Sequence, residues 1–173
     1  MKKFLAAFFV SALCWLAPAM AFNLSIAVQP TVQLAAYASG NSLGGLQTIP
    51  VFQQNGQYQG TLYGVSIANA NAATATVTVY LFDTLPTATT CTDKAAFVLG
   101  AADVPKLAVA PFTLTPAAPT GTTRTFAQLA MIASVLNKDS APRTPNLYAC
   151  LIVGGAVTPV STTDYTLKIQ GDL

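Results

Sequence analysis

The chain has no histidine and no glutamate. Without histidine, Ser-His and Cys-His nucleophilic systems are excluded, as are imidazole-ligated metal sites. Charge is scarce as well, at 8% of residues. The acids are Asp83, Asp93, Asp103, Asp139, Asp164 and Asp172. They are scattered, and most fall in expected turns, where an aspartate bonds backbone. A paired-carboxylate glycosidase is therefore not the expectation. From Phe22 to Phe82 there is no acid or base apart from tyrosine. The single tryptophan, Trp15, lies in the N-terminal apolar segment. The rest of the chain thus lacks the residue most used as a sugar-stacking platform or interface anchor. Beyond residue 21 no apolar run is long enough to span a membrane.

What is present begins with an address. Lys2 and Lys3 precede an apolar stretch from Phe4 to Ala17, broken by Pro18 and followed by Ala19-Met20-Ala21. That is the layout of a Sec signal peptide, with Ala19 and Ala21 as the small residues of the cleavage site. The segment is shorter than a spanning helix needs. Cys14 sits inside it after Leu13, unlike a lipoprotein anchor. The expectation is a signal peptide over 1–21 and a mature chain in the periplasm, secreted or at the cell surface. It would touch membrane only through the transient signal.

Removing residues 1–21 leaves about 152 residues, the size of one domain over 22–173. Its basic residues (Lys94, Lys106, Arg124, Lys138, Arg143, Lys168) equal its acids in number. A neutral surface carries no footprint for nucleic acid or for anionic lipid. Low charge also gives little colloidal repulsion, so the partner expectation is self-assembly or another surface protein. It is weighed against a neutral-surfaced domain kept soluble by hydroxyls and amides, which is favoured because neutrality alone shows no exposed apolar patch. Cys91 and Cys150 remain after cleavage, and an even pair in an exported protein is expected to form a disulfide. Their spacing fits neither a CxxC redox motif nor, without histidine, a zinc site. No cofactor is expected.

The rest reads as short strands between turn residues. Thr74–Asp83 alternates Val77, Val79 and Leu81 with Thr76, Thr78, Tyr80 and Phe82, apolar on both faces, as a central strand requires. Thr61–Ala70 places Tyr63, Val65 and Ile67 on one face, and Asn69-Ala70-Asn71-Ala72 reads as a hairpin connection to the next strand. Leu24, Ile26 and Val28 alternate up to Pro30, and Val32 and Leu34 resume the pattern. Gln47–Phe52 is a short strand that Pro50 marks as edge or bulge, and Asn55-Gly56 is a turn. Ala95–Leu99 and Phe112–Thr115 read as strands, and Ala102–Leu107 as one helical turn capped by Asp103. Phe126–Leu136 fits a helical stripe and a strand alike, and its context makes it a strand. Asn146–Val153 and the segment around Tyr165, Leu167 and Ile169 close the chain as strands. The sum is an all-β fold, an antiparallel β-sandwich with one short helical turn and one disulfide.

Other candidate sites are thin. Ser134 and Lys138 lack the SxxK spacing of a Ser-Lys dyad. Asp83, Asp93 or Asp139 could meet calcium, but no DxDxDG loop is present. Gly44-Gly45 and Gly154-Gly155 open no helix and read as turns rather than phosphate loops. Tyr58 shields a hairpin end or offers a contact. Asn23-Leu24-Ser25 matches a glycosylation sequon by coincidence, beside a bacterial-looking signal.

Two segments carry a family likeness: "VTVYLFDTLPTATTCTDKAAFVLGAADVPKLAV" (Val77–Val109) and "NLYACLIVGGAVTPVSTTDYTLKIQGD" (Asn146–Asp172). With the strand ending LFD, the ATT.TD.AA turn, the AADVPKL helix and the closing hairpin, they resemble small β-sandwich virion proteins of tailed phages and prophages. The likeness covers roughly 60 residues and no catalytic motif. It implies a fold and a tail or decoration role. The signal peptide and the cysteine pair depart from proteins assembled in a reducing cytoplasm. The expected function is an exported, non-enzymatic structural or surface-binding module, with a virion accessory role as the alternative. A metal- or carboxylate-dependent hydrolase is the weaker one.

Overall fold

The computed structural model describes residues 24–51, 59–118, 124–136 and 146–172, except the side chains of 24, 59 and 131–136. The expected cleavage residues Ala19 and Ala21, and Trp15, Asn23, Tyr58, Lys138, Asp139 and the Asn55-Gly56 turn, lie outside them.

Eight strands form two antiparallel four-stranded sheets. They are β1 Leu24–Val28, β2 Gln47–Pro50, β3 Gln59–Asn69, β4 Val77–Phe82, β5 Phe112–Leu114, β6 Thr125–Leu136, β7 Asn146–Val153 and β8 Tyr165–Asp172. The first sheet has the order β1-β8-β3-β6 and the second β2-β7-β4-β5. Every connection crosses from one sheet to the other except β4 to β5. This is the strand order of a jelly roll, two Greek keys wound together.

Period-two alternation explains the core. In β8, Tyr165, Leu167, Ile169 and Gly171 are buried, while Lys168 and Gln170 face water. Leu62, Val65 and Ile67 of β3 join the same core face. Against them pack Val77, Val79 and Leu81 of β4 and Leu147, Ala149, Leu151 and Val153 of β7. Ile49 of β2 and Leu114 of β5 complete the layer. Burying each large aliphatic side chain here is worth roughly 1.5–3 kcal/mol.

The second sheet is buried on both sides. All but the first residue of β7 is buried. Its other face carries Tyr148, Cys150 and Ile152 beside Phe82 of β4, a second apolar cluster. The chain between β4 and β5 folds back over this face as a lobe, supplying Cys91, Phe97, Leu99 and Leu107. The rings of Tyr80 and Phe97 meet there at 4.4 Å, tilted by 40°. This is why β4 reads as apolar on both faces.

Several expectations change in three dimensions. Tyr63 does not share a face with Val65 and Ile67. A β-bulge between Leu62 and Gly64 turns it outward, 39% exposed, and Leu62 takes the core position. Asn69–Ala72 is not a hairpin, because β3 and β4 belong to different sheets. Two successive side-chain turns carry the crossing instead: Asn71 N–H donates to Asn69 Oδ1 at 3.0 Å, and Ala73 N–H to Asn71 Oδ1 at 2.8 Å. The closing strands β7 and β8 likewise sit in opposite sheets and make no hairpin.

After Pro30 no strand resumes. Val32 is buried, Leu34 is exposed, and Val32 N–H donates to Thr162 across the loops. Ala95–Leu99 forms only isolated bridges, Ala96 with Asn41 and Val98 with Thr90. The helical turn is a 3-10 helix, Ala101–Lys106, with Gly100 at its N-cap and no side-chain cap. Asp103 lies inside it and has another task.

Candidate functional site

The lobe between β4 and β5 is the most constructed part of the surface. The disulfide Cys91–Cys150 pins it to the centre of β7. Closing a loop of 59 residues stabilises by about 4 kcal/mol in the chain-entropy model. Cys150 is fully buried at the floor of the cluster. The bridge fits a non-reducing environment.

Asp103 anchors the lobe from within. It is fully buried, and it accepts from Ala88 N–H at 2.7 Å, Thr87 N–H at 3.1 Å and the Thr89 hydroxyl at 2.8 Å. Lys106 Nζ closes an ion pair with Asp103 Oδ1 at 2.8 Å. The same ammonium donates to the Leu85 carbonyl at 2.9 Å. Burial pushes the Asp103 carboxyl up. The Lys106 charge and the donors from Thr87, Thr89 and Ala88 outweigh it and hold the group well below the usual carboxylate range. Gly100 lets the helix approach this turn: a Cβ there would meet the Ala88 carbonyl oxygen at 2.5 Å.

Asp93 ties the lobe to the loop before β2. Its Oδ1 accepts from the Tyr37 hydroxyl and from Gly44 N–H, both at 2.7 Å. Tyr37 Oη in turn accepts from Gln33 N–H at 2.8 Å. Burial, then the bond to Asp93, pushes the Tyr37 phenol well above its usual range. Gly44 holds φ +73°, and a Cβ there would strike Pro30 Cβ at 2.4 Å. Asn41 Nδ2 donates to the Lys94 carbonyl, and Lys94 itself adopts φ +63°.

A third feature is a polar cleft of about 300 Å³ at one end of the first sheet. Gln29, Asn69, Arg124, Thr163, Asp164 and Thr166 line it with two alanines. Asp164 is buried, and its Oδ2 accepts from Asn71 Nδ2 at 2.8 Å and Val160 N–H at 2.6 Å. Its Oδ1 has no partner among the described residues. Tyr165 beside it is pushed up to about 12 by burial and by the Asp164 charge, which a bond with Asn69 partly offsets. The cleft can accept and donate hydrogen bonds. Asp164 is the only carboxylate in its lining.

The cysteine pair is the predicted site the fold brings together. The aspartates stay apart: no group of three or more His, Cys, Asp or Glu that could hold a metal occurs among the described residues. Asp83 is buried and accepts from the Thr84 hydroxyl at 3.1 Å. Ser134 lies on β6. The partnerships of Tyr37 with Asp93 and of Thr87–Thr89 with Asp103 were not legible in the sequence. They span 56 and 14–16 residues, and no motif spacing marks them. No described helix is long and apolar enough to cross a membrane.

Compared with protein-family models, with characterised proteins and with solved structures, the chain matches none.

Proposed function

We propose that this is an exported, non-enzymatic β-sandwich that serves as a structural or surface-binding module outside the cytoplasm. The commitment of its carboxylates carries the reading. Asp93, Asp103 and Asp164 each accept backbone or side-chain donors that hold one segment against another. A general acid or base needs a proton it can exchange with substrate; Asp93 and Asp103 are occupied in fixing loops, and Asp164 uses its Oδ2 in the same way. The disulfide supports an extracytoplasmic address.

A second reading, a phage-like virion or tail accessory protein, is favoured by the strand order. Viral capsid and lectin domains use the jelly roll, although fold alone does not assign a role. The two segments that carry the resemblance also lie together, since β4 pairs with β7 and the disulfide joins them.

The test is an intact mass under non-reducing conditions, on protein taken from its native cells. Loss of residues 1–21 together with two hydrogens supports export and the bridge. A full-length, reduced mass overturns export and leaves the virion reading, which then requires copurification with particles in fixed copy number.

A further inference from the structure

Residues 24–50 and 146–171 run against each other almost without a break. β1 pairs with β8 from Leu24 opposite Gly171 to Val28 opposite Leu167. Past Pro30 the pairing continues outside the strands. Val32 N–H donates to the Thr162 carbonyl at 3.0 Å, and Tyr37 and Val157 exchange backbone bonds at 2.8 and 3.2 Å. Gly40 N–H donates to the Val153 carbonyl at 2.7 Å and Leu43 N–H to that of Leu151 at 2.8 Å. β2 then pairs with β7 from Gln47 opposite Ala149 to Pro50 opposite Asn146. One antiparallel ribbon thus passes from the first sheet into the second, and all of β3 to β6 lies between its two sides in sequence.

The later side of the ribbon fills the middle of both sheets. β8 separates β1 from β3, and β7 separates β2 from β4. A chain that has reached only residue 145 therefore has β1 and β2 without their strand neighbours, plus two pairs, β3 with β6 and β4 with β5. The second pair is three rungs long, from Val77–Leu114 to Val79–Phe112. Two-stranded pieces are marginal in water, and stability takes three or more strands over an apolar face. Among the described residues, eight of the twenty buried in the main core lie beyond residue 145, as do three of the four in the second cluster. Cys150 belongs to the same segment, so the bridge to Cys91 holds the ribbon once it is in place.

We propose that this ribbon is a folding latch: the exported chain stays open through residue 145, and both sheets close in one step when 146–172 join. The proposal deepens the export reading and rests on it, since a Sec signal sends an unfolded chain across the membrane. Bringing 24–28 to 167–171 costs loop-closure entropy that only the completed sheets offset. β1 follows the expected cleavage site directly, so the signal is removed from a chain whose first strand is still unpaired.

The first experiment refolds purified protein with its bridge intact, after an unfolding pulse too brief for proline isomerisation, and follows amide protection in time. Tyr37 and Leu43 report the ribbon. Ala108, bonded to Leu81, and Ala127, turned toward β3 because Phe126 turns to Ala117, report the rest. All four should gain protection in one phase. Earlier protection at Ala108 and Ala127 overturns the latch. The second experiment joins Asp172 to Leu24 by a short glycine linker and opens the chain between β6 and β7, which makes the ribbon local. The shorter closure should speed folding on the order of 50-fold, and an unchanged rate overturns the proposal. Behind residues 1–21 the permuted chain should accumulate as unprocessed precursor in cells that process the native order. Equal processing of the two overturns the latch's role in export. A native chain found at full length in those cells overturns the export reading itself, and the refolding phases tell that failure from a failure of the latch.

Discussion

Replacing Cys91 and Cys150 together by alanine removes a cross-link between positions 59 residues apart. The chain-entropy model assigns that closure about 4 kcal/mol at 25 °C, because the unfolded chain regains the freedom the bridge denied it. Cys150 is fully buried among Phe82, Tyr148 and Ile152, so losing its sulfur adds a small void worth roughly 1 kcal/mol. The double variant should therefore lose about 4–5 kcal/mol. In a domain of this size that lowers the melting temperature by roughly 10–15 °C. The assay is urea unfolding by far-ultraviolet circular dichroism, oxidised wild type against variant, with the denaturant slope rising in the variant as its unfolded state expands. Local opening should come first in the lobe. The amides of Thr90, Phe97 and Val98, bonded to Val98, Gly40 and Thr90, should lose exchange protection before the core strands. A loss under about 1 kcal/mol with lobe protection intact would refute the reasoning. The apolar cluster and the Asp103 anchor would then hold the lobe without the bridge.

Further outcomes follow from the same structure. The Asp103 carboxyl is depressed in the fold, so its contribution is complete above the unfolded value near 3.9 and is lost as pH falls below it. Asp103→Asn should flatten the acid limb of a stability-against-pH series, and an unchanged limb would remove the anchor role. Tyr165 is raised to about 12, so its contribution is complete below about pH 10 and is lost as pH climbs toward the folded value. Tyr165→Phe should reduce alkaline destabilisation in that window, read by thermal melts from pH 9 to 12. Gly44→Ala forces a side chain into positive φ and against Pro30, and should cost about 2–4 kcal/mol in urea titration. Gly45→Ala, also at positive φ but with nothing nearer than 3.5 Å, should cost less, about 1 kcal/mol. Equal losses at the two glycines would remove the Pro30 contact as the cause.

Most strands were legible because alternation is local. Val77-Thr-Val-Tyr-Leu-Phe and Tyr165-Thr-Leu-Lys-Ile-Gln declare two faces whatever lies opposite. β6 shows the limit, since Phe126, Leu129, Ala133 and Leu136 satisfy a helical stripe as well, and only pairing with β3 over Asn69 to Gln59 decides for strand. Tyr63 looked like core because alternation continued through it. The bulge that expels it is set by two neighbours at once, β6 and β8, whose registers both shift there. Asp103 looked like a helix cap because it begins an apolar turn, yet its donors come from Thr87, Ala88 and Thr89 upstream.

By itself the sequence determined a histidine-free chain whose charges balance beyond residue 21, with an expected export signal, one cysteine pair and a β-rich pattern. Those are properties of composition and of neighbours a few residues apart. The tertiary structure decided which strands meet: β1 with β8, β2 with β7, and β3 crossing to the sheet opposite β4. It also decided that the β4–β5 connection covers the outer face of the second sheet, and that the longest edge, β6, stays open beyond Phe126 among the described residues. Pairing partners and face coverage depend on contacts between residues far apart in the chain. Period-two alternation states that a face must be buried, but not what will bury it.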